Sequence, residues 1–328
     1  MTKKKRIVSG MRPTGALHLG NYHGALSNWI HMQDSYDCFF FIADWHALTS
    51  DYENTAHIKA CIRKMMIDWL GAGLSPDKST LFVQSHIKCH AELFLLLSMI
   101  TPLSWLERNP TYKEQIAELK NKDLSTFGFL GYPILQAADI IIYRAEGVPV
   151  GIDQAAHIEI TREIARRFNY FYGYVFPEPE TILTESAKIL GTDRRKMSKS
   201  YENAIFLSDT PDAIRKRVAT MITDPQRKKR NDPGDPDVCN VFSFHKSYSP
   251  VDMVKEIDQD CRRAAIGCVE CKQKMAENLI SALAPIREKT EYYHQHLDLV
   301  DDIIAQGNKA AAAEAERTME SVRKALKV

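Results

Sequence analysis

Apolar positions near the start of the chain form short continuous runs, separated by longer stretches with helical spacing. Ile7-Val8-Ser9 is the first run; Gly10, Pro13 and Gly15 follow as turn residues, and a helical stretch extends from about His18 to Met32. Cys38-Phe39-Phe40-Phe41-Ile42-Ala43 is apolar throughout, which predicts a strand buried on both faces. Residues 54 to 71 return to helical spacing and end at Gly71 and Gly73. Leu81-Phe82-Val83-Gln84 is the next strand and Ala91 to Ile100 the next helix. Residues 102 to 123 break this rhythm with a proline-separated helical pair and read as an insertion. It resumes with an apolar helix carrying Tyr132, Gln136 and Asp139, then a short strand, Val148 to Gly151, running into a helix that begins near Asp153.

Strands alternating with helices imply right-handed crossovers, and so an α/β fold with a Rossmann-like, doubly wound parallel sheet. Past Ile205 no convincing strand occurs. The spacing there predicts helices at roughly 212–221, 250–265, 269–292, 296–306 and 308–326, punctuated by Gly and Pro. The expected organisation is a Rossmann-like α/β domain over 1–204, with the 102–123 insertion inside it, and an all-helical domain over 205–328. A length of 328 residues exceeds what one core usually holds, which agrees with two domains.

Composition narrows the class. Hydrophobic residues make up 45% and charged residues 26%, as in an ordinary globular protein. No stretch could span a bilayer, and Lys3-Lys4-Lys5-Arg6 is not followed by an apolar region long enough for a signal peptide, so the expected location is the cytoplasm, with no membrane partner. Net charge is only +1, so a nucleic-acid partner would have to meet a local positive face. Arg215-Lys216-Arg217 and Arg227-Lys228-Lys229-Arg230 are the strongest such runs in the helical part, with solvated charge the plainer reading of each.

Two stretches carry the chemistry. Lys196-Met197-Ser198-Lys199-Ser200 places two ammonium groups and two hydroxyls on a polar segment expected to be a mobile loop, able to close on a polyphosphate. Thr14-Gly15-Ala16-Leu17-His18-Leu19-Gly20-Asn21 is a strand–turn–helix junction. His18 and Asn21 share one face at the helix start, where unpaired N–H groups favour phosphate oxygens, and Gly20 leaves the backbone bare for a purine. Either stretch alone would be weak evidence. In the apolar helix, Tyr132, Gln136 and Asp139 stand at i, i+4 and i+7 on one face. A carboxylate there needs a donor.

These stretches resemble a known family. His18-Leu19-Gly20-Asn21 is similar to the first signature of class I aminoacyl-tRNA synthetases, and Lys196 to Ser200 matches the second. Met11-Arg12-Pro13-Thr14-Gly15, Tyr132 to Asp139, Val148 to Gln154 and Ala165 to Asn169 resemble the tryptophanyl-tRNA synthetases in the family's order. The resemblance implies adenylation of L-tryptophan by ATP with Mg²⁺ and transfer to tRNA(Trp) by a homodimer. It implies His18, Asn21, Lys196 and Lys199 in catalysis; Arg12, Pro13, Thr14, Gly20, Asn21, Gly151, Ile152, Asp153, Ile189, Lys196, Met197, Ser198, Lys199 and Ser200 around ATP; and Asp139, Tyr132, Gln136, His46 and Gln154 around tryptophan. Arg12 replaces a familiar glutamine and Gln136 a methionine. Tyrosyl-tRNA synthetases resemble the Tyr132–Asp139 helix too, so that helix leaves the tyrosine branch open, and a synthetase-like RNA-binding protein without catalysis is the alternative of a different class.

Cys239, Cys261, Cys268 and Cys271 are the cysteines of the helical part, spaced C-x21-C-x6-C-x2-C. Gly267 should end one helix so that Cys268 and Cys271 open the next, a geometry in which thiolates converge. Four thiolates suit Zn²⁺ or an iron–sulfur cluster, and a single close pair points to the cluster, since zinc sites of this composition usually show two. The spacing is similar to that of a subset of bacterial tryptophanyl-tRNA synthetases with a 4Fe-4S cluster near the anticodon-binding region.

Overall fold

A computed structural model describes all residues except 1–3, 110–111, 113–123, 152–153 and 184–188. Five strands, β1 (Arg6–Met11), β2 (Asp37–Ile42), β3 (Ser79–Val83), β4 (Gly147–Val150) and β5 (Glu180–Leu183), form one parallel sheet in the order β3-β2-β1-β4-β5. The chain moves outward from β1 to β3, then returns to the other side of β1 with β4. That reversal opens a crevice at the C-terminal ends of β1 and β4. β5 is short and its side chains are partly or fully exposed, so it lacks the apolar run that marked the others.

Alternation along the strands divides the core in two. Ile7, Cys38, Phe40, Ile42 and Leu81 face one layer, and Val8, Phe39, Phe41, Phe82 and Val148 the other. The first layer is covered by α1, which comprises Leu19–Asn21, a π-helical stretch Tyr22–Leu26 and Ser27–Met32, and by α3 (Ile58–Ala72). α2 (Asp44–Asp51) follows β2 at the crevice. α4 (Cys89–Ser98), α5 (Leu103–Glu107), α6 (Phe127–Leu130), α7 (Tyr132–Ile141) and α8 (Ala155–Tyr172) lie towards the second layer. Most of the 102–123 insertion lies outside the described residues.

The C-terminal part is helical: α9 (Pro211–Ala219), α10 (Asn240–Tyr248), α11 (Val251–Arg262), α12 (Cys268–Gln295) and α13 (Leu297–Leu326). It keeps only a small cluster of its own, around Phe242, Ile257 and Ile266, and otherwise shares its core with the sheet. Ile214, Val241, Met275 and Leu279 share a cluster with Ile7 and Phe40. α13 is one helix where the spacing predicted two, and it crosses the edge of the sheet beside β3. Val300 and Ile303 join the first layer, while Ala311, Ala315, Met319 and Val322 join the second. At the crossing, a Cβ on Gly307 would fall 1.8 Å from Leu81 O, so this glycine serves close approach and does not end a helix. Asn308 Oδ1 accepts the Val83 N–H at 2.9 Å, giving the edge strand a partner.

Candidate active site

The crevice holds a cavity of about 460 Å³ lined by Val8 to Gly10 and Arg12 from the end of β1, by Val148 to Gly151 from β4, and by His46, Tyr132, Gln136, Gln154 and His157 from helices. Four of the five expected tryptophan residues therefore line this cavity. Arg12 is the one Lys or Arg lining it, and no Asp or Glu does, among the described residues. Tyr132 Oη lies 2.7 Å from His157 Nε2, and His157 Nδ1 lies 2.8 Å from Gln154 Oε1. An amide oxygen only accepts, so Nδ1 carries the proton of a neutral His157 and Nε2 accepts from the tyrosine.

Asp139, the fifth, does not line the cavity; it is fully buried behind it. In this structure both of its oxygens are taken by donors of the protein. Gln84 Nε2 donates to both its oxygens at 2.9 and 2.8 Å, His90 Nδ1 lies 2.5 Å from Oδ1, and His46 Nε2 lies 2.8 Å from Oδ2. Burial pushes this carboxyl up, but hydrogen bonds from His46 and His90 outweigh it and hold the group below its usual range. Of the three donors, His46 also reaches the cavity. Gln84 and His90 were not expected. Gln84 Oε1 accepts the amides of Trp45 and His46 at 3.1 and 3.4 Å, so one side chain orients both Asp139 and the start of α2.

At the other side of β1 the two signature stretches are joined. His18 caps α1: its Nδ1 accepts the Asn21 N–H at 3.2 Å while Asn21 Oδ1 accepts the His18 N–H at 3.1 Å. The proton of the neutral ring therefore sits on Nε2. Burial, with Lys199 nearby, lowers the His18 pKa to about 4. Lys199 Nζ donates to Thr14 O at 2.7 Å, and burial lowers its pKa. Gly15, at φ +107°, leaves room for this ammonium, which stands 3.1 Å from where a Cβ would be.

Met197 is buried, and its Sδ accepts the Gly20 N–H at 3.4 Å. The bare backbone expected to face a purine is thus covered by a thioether in this structure. The lysine segment is pinned from below by Asn203, which accepts the Ser198 N–H at 2.8 Å and donates to Asp193 at 2.7 Å and to Lys196 O at 3.2 Å. Lys196 and Ser200 are exposed, Ser198 lies 2.9 Å from Ser200 between hydroxyl oxygens, and Ile189 packs at the margin of the first core layer. Pro13 is buried behind Thr14. Ile152 and Asp153 lie outside the described residues.

The family model for class I tRNA synthetases (W and Y) matches residues 1–284. A tryptophan–tRNA ligase of Thermotoga maritima is 51% identical, covering 98% of both chains, and one of Aquifex aeolicus is 46% identical, covering 98% of this chain and 99% of the relative. The chain belongs to the tryptophanyl-tRNA synthetases. A tryptophanyl-tRNA synthetase of Campylobacter jejuni, solved with ADP and tryptophan, superposes with a TM-score of 0.90 at 32% identity, covering 98% of this chain and all of that one. Membership resolves the choice that the Tyr132–Asp139 helix left open, in favour of the tryptophan branch.

Outside the crevice, the synthetase's four C-terminal cysteines converge where Cys239 precedes α10, Cys261 ends α11, and Cys268 and Cys271 open α12 behind Gly267. Burial raises the thiol of Cys271 to about 12, and the charges of Cys239, Cys261 and Cys268 add to that effect. Arg227 Nη1 lies 3.7 Å from Cys261 Sγ, so it turns inward from the run read as phosphate-binding. Arg215, though exposed, is ion-paired with Glu277, and Arg217 with Asp209; Lys216, Lys228, Lys229 and Arg230 of these two runs are also exposed. Among the described residues no three His, Cys, Asp or Glu are placed to share one metal ion. No helix among them is long and apolar enough to cross a membrane.

Proposed function

We propose that this synthetase adenylates tryptophan in the crevice between β1 and β4 with the residue roles that follow. The observation that carries the reading is a neutral-lined pocket with one guanidinium, adjoining a turn on which His18 and Lys199 meet. The indole enters beside Tyr132 and Gln136, and its N–H takes the Asp139 Oδ2 site that His46 holds in this structure. Gln154 receives the ammonium group, and Arg12 neutralises the carboxylate as it attacks the α-phosphorus of Mg²⁺–ATP. Nucleotide entry displaces Met197 from Gly20. His18 Nε2–H and Asn21 Nδ2 donate to phosphate oxygens, Gly151 and Asp153 hold the ribose, and Lys196 and Lys199 take up charge on the departing pyrophosphate. The metal ion that accompanies ATP shares that charge. Tryptophan-dependent ATP–pyrophosphate exchange tests the reading, and exchange supported by tyrosine in its place would overturn it.

The finer features follow from the same reading. Residues 205–328 carry the anticodon contacts, with Lys216, Lys228 and Lys229 meeting phosphates. Leu95, Met99, Leu103 and Phe127, 54 to 70% exposed, belong to a homodimer interface. The four cysteines hold a 4Fe-4S cluster: each thiolate would sit on its own iron and so need not crowd one ion, and Arg227 would offset the cluster's charge. Bound, such a cluster would tie α10, α11 and α12 together and serve tRNA contact, not adenylation. The cytoplasm, where thiols stay reduced, suits both the free cysteines and the reaction.

A further inference from the structure

Asp68 lies on α3 between Ile67 and Trp69, and all three side chains are buried. Its Oδ2 accepts the Leu17 N–H at 2.9 Å, one residue before His18. Its Oδ1 has no hydrogen-bond partner among the described residues. A carboxylate out of water with an unmet oxygen costs several kcal/mol, and an apolar side chain would pack there at less cost. Stability therefore gives no reason for it, whereas its position does.

Thr14 to Leu17 is one short turn. Lys199 Nζ is bonded to its first residue at Thr14 O, and Asp68 to its last at Leu17 N, with Gly15 leaving the ammonium its room. Leu19 N donates to Ile205 O and Leu207 N to Leu17 O, so the segment that follows the lysine loop flanks the same turn. Resting on the adenylation reading above, we propose that Asp68 is a positioning residue for that step. Its charged carboxylate and the Lys199 ammonium clamp the turn from opposite ends, and through it fix His18 relative to the lysine loop. Burial pushes the Asp68 carboxyl up, and the Leu17 amide, Lys64, His294 and Lys199 offset this in part; the carboxylate and the Lys199 ammonium each favour the other's charged form.

The test is a double-mutant cycle in pyrophosphate exchange with the full chain. Asp68→Asn keeps an oxygen for the Leu17 N–H and removes the charge. Alone it should lower exchange kcat about tenfold, with KM for tryptophan within about twofold; in a Lys199→Ala background its further effect should shrink to about twofold or less. An equal loss in both backgrounds, or no loss in either, would overturn the proposal. Should Asp68→Asn fail to fold, hydrogen exchange of the Leu17 amide decides: it should quicken in Lys199→Ala relative to the parent, with the amides of α3 unchanged, and an unaltered Leu17 rate counts against the clamp. Absence of exchange in the parent protein would instead defeat the adenylation reading.

Discussion

A histidine that is neutral at every physiological pH serves phosphate only as a donor, and His18 is built that way. Its Nδ1 is committed to the Asn21 amide and its pKa is lowered to about 4, first by burial and then by Lys199. Because the folded value lies below the ordinary 6.5, the group favours the folded state above 6.5, and that contribution is lost as pH falls from there to about 4. An NMR titration of the His18 ring should find this low midpoint, and Lys199→Ala should raise it. Exchange itself should show no acid limb from His18 near 6.5. Lys199→Ala should also lower the adenylation rate at least about a hundredfold while changing tryptophan affinity less than about threefold, because an ammonium meeting developing charge acts in the transition state. Comparable losses in both would contradict its role. At this scale the sequence marked residues that line the cavity but not the side chains that hold Asp139 behind it: nothing in the spacing of Gln84 and His90 marks them, since Asp139 is 55 and 49 positions away.

Helix spacing and glycine punctuation proved legible where glycine ends an element and misleading where it permits contact. Gly73 does end α3, in the left-handed region at φ +117°. Gly307 sits mid-helix because a backbone carbonyl occupies the place of its side chain. Gly307→Ala forces two backbones apart and should destabilise the chain by about 3 kcal/mol, near the upper range for overpacking, readable as a lowered Tm. Gly71 makes the same bargain with Thr290, whose Oγ1 lies 2.1 Å from the added Cβ, but a side chain can move, so Gly71→Ala should cost less. The π-helical stretch in α1 was hidden as well. It keeps helical spacing nearly intact while widening one turn, and that turn carries Gly24 and Ala25 to the cavity. β5 and α10 escaped notice because one is largely exposed and the other is a nine-residue helix among loops.

For the whole molecule, the alternation of strands and helices sufficed to indicate a doubly wound sheet, and its switch point is where the cavity lies. A boundary at 204/205 marks where strands stop, but the hydrophobic core runs across it. Unfolding by denaturant should accordingly be a single transition seen alike by the tryptophans of the sheet layer and by helical ellipticity; two separated transitions would mean the helical part folds alone. Substituting Leu95 and Met99 with Asp should convert the species seen in sedimentation to the mass of one chain, if those side chains lie in a dimer interface. Protein prepared without oxygen should carry iron and sulfide, lost together in Cys268→Ser.

The sealing of β3 by α13 has a consequence in time. On the ribosome every strand is made before this helix, so the nascent sheet meets the cell with an open edge whose Val83 amide lacks the Asn308 side chain that will take it. Until Gly307 settles against Leu81, that edge can pair with another chain. Synthesis stalled before α13 should therefore yield chains that seek chaperones or one another, whatever the state of the catalytic residues upstream.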